Sequence, residues 1–125
     1  MIHHVSVGAN DLERARAFYD PLMALLGLRL TFEDGKSFGY GTGDTLFSVE
    51  TPVDGTAASA GNGVHVAFQA SDRAMVRRFH ELALANGGTS DGAPGPRPDY
   101  DANYFAAFVR DPDGNKIEAL TFVAK

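Results

Sequence analysis

The spacing of apolar positions changes several times along the chain, and each change marks a new element. Residues 2–8 (Ile-His-His-Val-Ser-Val-Gly) and 63–69 (Gly-Val-His-Val-Ala-Phe-Gln) alternate β-branched or aromatic residues with others, which predicts strands. A helical stripe follows the first of these: Leu12, Ala15, Phe18, Leu22 and Leu25 share one face, and Gly27 stops the run. Asn10 is the predicted N-cap, with Glu13 three residues on completing a capping box. Pro21 lies inside this helix and predicts a kink or a register shift near Ala17. After the second strand, Ser71 is the predicted cap, Met75, Val76, Phe79, Leu82 and Ala83 form the stripe, and Gly87–Gly88 end it. Short extended runs complete each half, at 28–34, 37–42 and 45–51, then at about 89–91, 103–110 and 116–123.

The two halves are copies of one plan. An offset of 61 residues carries His4 onto His65, Asp11 onto Asp72, Phe18 onto Phe79 and Gly27 onto Gly88, and the same offset relates Arg16 to Arg77. Each half therefore reads as a β-α-β-β-β module, 1–52 and 62–125, within one domain spanning 1–125. The predicted class is α+β: two modules forming a curved mixed sheet, a cup with helices on its outside. Small and polar residues at 53–63 link the halves. Residues 92–102, with Pro94, Pro96 and Pro98, lack periodicity and predict a long loop, a candidate lid over the cup.

Composition narrows the partners. Of 125 residues, 44% are hydrophobic and 22% charged, an ordinary globular mixture. The balance of 11 basic against 16 acidic residues gives a net charge of −5, without a basic cluster, which argues against nucleic acid. The chain has no cysteine, so thiolate ligands, disulfides and a cysteine nucleophile are excluded together. No apolar run reaches membrane-span length, and the expectation is a cytoplasmic protein with a small-molecule substrate.

Strand alternation gives the candidate chemistry. With Val5, Val7, Val66, Phe68, Ile117 and Ala119 turned to the helices, His4, His65 and Glu118 share the opposite, concave faces. Two imidazoles and one carboxylate make a facial set for a divalent metal. Glu50, near the end of the first module's last strand, is a candidate fourth ligand by the repeat, and Glu50 or Glu118 a candidate base. Arg97, Tyr100 and Tyr104 flank the proline-rich loop and are candidate substrate contacts.

These residues resemble a known family. The repeated modules, the His followed seven residues later by Asp in each half, and the ending Asp111-Pro112-Asp113-Gly114-Asn115-Lys116-Ile117-Glu118 look like the vicinal oxygen chelate superfamily of glyoxalases, bleomycin-resistance proteins and extradiol dioxygenases. By that resemblance His4, His65 and Glu118 match metal ligands, and Glu50 matches the fourth ligand of glyoxalase I. The resemblance implies one divalent ion (Zn, Ni, Mn or Fe) and a lyase or isomerase that stabilises an enolate-like intermediate. It also implies a homodimer, with the cup closed within one chain or between two. Thr51-Pro52-Val53-Asp54 does not resemble the glutathione-contacting stretch of glyoxalase I. A small-molecule binding and resistance protein, with or without metal, and an Fe(II) dioxygenase remain alternatives.

Overall fold

The computed structural model describes residues 1–125. The first module comprises β1 (Val5–Gly8), α1 (Leu12–Leu25), β2 (Arg29–Glu33), β3 (Ser37–Gly41) and β4 (Thr45–Glu50). The second comprises β5 (His65–Gln69), α2 (Arg73–Ala85), β6 (Thr89–Pro96), β7 (Phe105–Arg110) and β8 (Lys116–Thr121). Each forms its own four-stranded mixed sheet, in the orders β1-β4-β3-β2 and β5-β8-β7-β6. The first and last strands of each module pair in parallel, the others antiparallel. The two sheets stay separate and do not close on each other. No helix is long and apolar enough to cross a membrane.

Both helices start one residue later than the sequence predicts. Asp11 caps α1 by accepting from the Arg14 amide, and Asp72 caps α2 by accepting from the Met75 amide. Asn10 cannot cap because its side chain is engaged elsewhere, donating to Asp113 and the Ala58 carbonyl and accepting from the Ala58 amide. The position that would complete a capping box is then Arg14, not Glu13. The repeated aspartates of the sequence are thus the two helix caps. Pro21 does not end α1, which continues to Leu25. Its lost donor leaves the carbonyl of Ala17, an exposed residue, within reach of water.

The expected long loop at 92–102 is strand in its first part, 92–96. β6 runs on to Pro96 and absorbs the irregular residues as two register shifts, between Ser90 and Gly92 and between Gly92 and Gly95. What remains is a hairpin tip held by its own backbone bonds, Arg97 N to Tyr104 O at 2.7 Å and Tyr100 N to Arg97 O at 3.0 Å. Its residues Arg97, Tyr100 and Tyr104 line the cavity described below.

One core serves both modules. Phe18, Tyr19, Leu22 and Met23 of α1 join Phe79 and Ala83 of α2, Phe47 and Val49 of β4, and Ile117 and Ala119 of β8 in a single cluster. Each such side chain contributes roughly 1.5–3 kcal/mol by burial. Gly88 allows a close approach between modules, since a Cβ there would lie 2.5 Å from the Phe18 ring. Both sheets turn their helix-side residues into this shared core.

Candidate functional site

The second module's outer face carries the densest chemistry. His65 opens β5 and Glu118 stands in the middle of the neighbouring strand β8, opposite Ala67 in the parallel register. Ile117 and Ala119 on either side go into the core, so strand alternation forces the Glu118 carboxylate onto the other face. His65 Nε2 lies 3.1 Å from Glu118 Oε1. Only 2% of the Glu118 side chain is exposed, against 43% for His65. The carboxylate is therefore presented through the imidazole and not directly to bulk water.

Tyr104, at the base of the hairpin tip, donates its hydroxyl to Glu118 Oε2 at 2.5 Å. Burial first, and then the hydrogen bond and charge of Glu118, push the Tyr104 phenol well above its usual range, so it stays a donor at neutral pH. Its ring packs edge-on against Tyr100 and Phe122, with centroids 5.1 and 5.3 Å away. Together these groups line a cavity of about 470 Å³, with Arg97, Phe108, Lys116 and Asp91 completing the walls. All three substrate candidates of the sequence thus come together with His65 and Glu118. Phe108, Lys116 and Asp91 were not singled out in the sequence; alternation along β7 and β8 places Phe108 beside Glu118 and carried that information.

His4 and Glu50 lie elsewhere. His4 is exposed just before β1, its Nδ1 3.0 Å from that of His3. Glu50 pairs with Gly8 at the end of β4. The register also corrects the expected correspondence between Glu50 and Glu118. Ser6, the repeat mate of Ala67, faces Ser48, just as Ala67 faces Glu118. The first module's counterpart of Glu118 is therefore Ser48, whose hydroxyl lies 2.6 Å from that of Ser6. Phe47 and Val49 flank Ser48 as Ile117 and Ala119 flank Glu118, a pattern visible in the sequence once the core strands are aligned by their apolar neighbours.

His65 and Glu118 offer one imidazole nitrogen and one carboxylate oxygen on the same side, which suits a divalent metal as far as two donors go. Within one chain no group of three His, Asp or Glu side chains comes together.

The fold is thus two βαβββ modules, the second with a His-Glu pair across its first and last strands. The sequence model of the Glyoxalase/Bleomycin resistance protein/Dioxygenase superfamily matches residues 1–119, and the chain belongs to that superfamily. A solved glyoxalase/bleomycin resistance protein from Albidiferax ferrireducens T118 is 39% identical, with a TM-score of 0.85 over 94% of this chain and 95% of its own. Two more distant structures share the fold. A glyoxalase-related enzyme from Fulvimarina pelagi has 20% identity and a TM-score of 0.75, over 97% of this chain and 87% of its own. A lactoylglutathione lyase from Agrobacterium tumefaciens has 22% identity and a TM-score of 0.65, over 97% of this chain and 92% of its own. No curated protein matches significantly.

Proposed function

We propose that the chain works as a homodimeric metalloprotein that moves a proton beside a carbonyl of a small oxygenated substrate, as a lyase or isomerase does. The observation that supports this is the His65–Glu118 pair at 3.1 Å, set in a polar cavity beside a protonated phenol. The two donors of one chain need a third, and His4 of the partner subunit has the right chemistry. His4 is exposed beside β1, and both β1 and β5 are edge strands with one side unpaired, so the two half-sites are free to meet between copies.

The metal, when bound, supplies Lewis acidity toward two neighbouring substrate oxygens. The chain's own groups do the rest. Glu118 is the carboxylate placed to take the proton, and the Tyr104 hydroxyl holds its Oε2 and fixes its orientation. Tyr100, Tyr104 and Phe108 present aromatic surface that limits water around the substrate.

The test is metal analysis of the purified protein and of His4→Ala, His65→Ala and Glu118→Gln, with light scattering for the mass and circular dichroism for the fold. The expected result is a dimer whose metal content falls sharply in each variant while the spectrum is unchanged. Full occupancy in His65→Ala, or a metal-loaded monomer at micromolar concentration, would overturn the reading. A second reading has its own support: His65 and Tyr104 satisfy both oxygens of Glu118 with side chains alone, as suits a metal-free binding protein. Binding of a small compound by metal-stripped protein, without turnover, would favour it.

A further inference from the structure

Two cations line the cavity beside Glu118, and their surroundings differ. Lys116 Nζ lies 3.5 Å from Asp91, a carboxylate it shares with Arg110 at 3.1 Å, so it has an acidic partner. Arg97 has no carboxylate partner. Its guanidinium bonds only to backbone carbonyls: Nη1 donates to Gly95 O at 2.9 Å and Pro96 O at 3.2 Å, and Nη2 donates to Ala93 O at 2.9 Å. A guanidinium carries five N–H donors. Three are used, leaving the Nε hydrogen and one Nη2 hydrogen unassigned on a group that keeps its full charge.

The group is also held in place before any ligand arrives. A Cβ at Gly92 would lie 3.3 Å from Arg97 Nη2, and one at Gly95 would lie 3.3 Å from Nη1. The two glycines clear the inner side of β6 so that the guanidinium can lie against the backbone. Its other side meets Phe108, with the guanidinium carbon 5.5 Å from the ring centroid. Bonds to three carbonyls, two missing side chains and one aromatic ring together fix a planar cation at the cavity wall. Such a fork recognises carboxylates in preference to neutral groups.

We propose that Arg97 is an anion anchor and that the substrate of this cavity is a small organic carboxylate bearing a further oxygen, which faces Glu118 and His65. This rests on the reading of the cavity as a small-molecule site. A carboxylate matches the fork of the Arg97 guanidinium. The protein's net charge of −5 repels anions at long range, so recognition has to be local, as a held guanidinium provides.

The experiment compares salicylate with its neutral amide, salicylamide. The two have the same ring and hydroxyl and differ in the charge of one group. Both are titrated calorimetrically at pH 7 in EDTA, so that metal binding plays no part, against the wild-type protein and Arg97→Gln. Salicylate is expected to bind at least ~10-fold tighter than salicylamide, as a charge-assisted hydrogen bond allows, and Arg97→Gln should erase that preference. If Arg97 only braced the hairpin, the variant would weaken both compounds alike. Should Arg97→Gln fail to fold, Arg97→Lys, which keeps the charge and loses the fork, must show a reduced preference. Equal binding of the two compounds by the wild type, or an unchanged preference in the variants, would overturn this inference alone. Binding of neither compound would overturn the small-molecule reading and this inference with it.

Discussion

Ser48 and Glu118 occupy the same place in their two modules, each facing the repeat-related residue of the parallel neighbouring strand. One module therefore places a carboxylate where the other places a hydroxyl bonded to Ser6. The pseudo-symmetry of the fold is kept in the backbone and broken in the chemistry, which makes the two half-sites unequal.

From this inequality, Glu50→Gln is expected to leave metal content and turnover within about twofold of wild type, far from the loss that removing a general base brings. Ser48→Glu should instead raise metal affinity by adding a donor at the matched position. Parallel metal titrations of the two variants check both statements. A large loss in Glu50→Gln would show that the rim of β4 reaches the metal after all.

Tyr104→Phe removes the donor to Glu118 Oε2 and keeps the ring. Outer partners of a ligating carboxylate typically account for 10–100-fold in metal affinity or activity, so a loss of about that size is expected. The melting temperature should change little, because the stacking on Tyr100 and Phe122 survives. An unchanged metal affinity would mean that Tyr104 serves only to pack the wall.

Tyr19→Phe acts on stability and not on the site. The Tyr19 hydroxyl donates to Asp111 Oδ2 at 2.6 Å, and Asp111 in turn accepts from the amides of Asp113 and Asn115. Burial first, then the negative charge of Asp111, push the Tyr19 phenol far above its usual value, so it remains a donor. Its removal should cost about 1.5–3 kcal/mol, the range for a hydrogen bond to a charged group. Urea unfolding would show this as a lower midpoint at unchanged slope.

Gly88→Ala should destabilise by roughly 1–3 kcal/mol through overpacking. The added carbon meets Phe18 at 2.5 Å and the carbonyls of Ala83 and Arg110 at 2.9 Å, and backbone atoms cannot swing aside as a side-chain end can. Thermal unfolding measures it. A neutral result would mean that the two modules can separate slightly without loss.

His80 gives stability a pH dependence. It lies half-buried on α2 with Nε2 2.8 Å from Ser90 Oγ, and burial holds its pKa below the usual histidine value. The unfolded chain keeps the ordinary value near ~6.5, so below that pH the unfolded state takes up the proton more readily. The contribution is thus complete above ~6.5 and is lost as pH falls toward the lowered folded value. Unfolding midpoints taken between about pH 7.5 and 5 should fall less steeply in His80→Gln than in wild type. Equal slopes would remove His80 as the cause.

The repeat made much of the architecture legible. An offset of 61 residues links His4 and His65, the helix-capping aspartates, and the closing glycines, and local periodicity placed both helices and every strand except most of β6 to within a few residues. The misplaced caps had a tertiary cause: Asn10 is drawn into bonds with Asp113 and Ala58, partners 103 and 48 residues away. The same holds for 92–102, where three prolines hide a strand because bulges let β6 pair with β7 around them.

The sequence by itself determined the α+β class, the two β-α-β-β-β modules and the side of each strand on which His65 and Glu118 stand, because these follow from short-range periodicity and a repeat. Only the tertiary structure decided three further things. Strand pairing set which residue of the first module matches Glu118, since a shift of two residues preserves the face and changes the chemistry. The hairpin between β6 and β7 brought Arg97 and Tyr104 together at the cavity. And the shared core of the two modules, with Phe18 against Gly88, was decided there too, because packing between elements far apart in sequence leaves no local pattern to read.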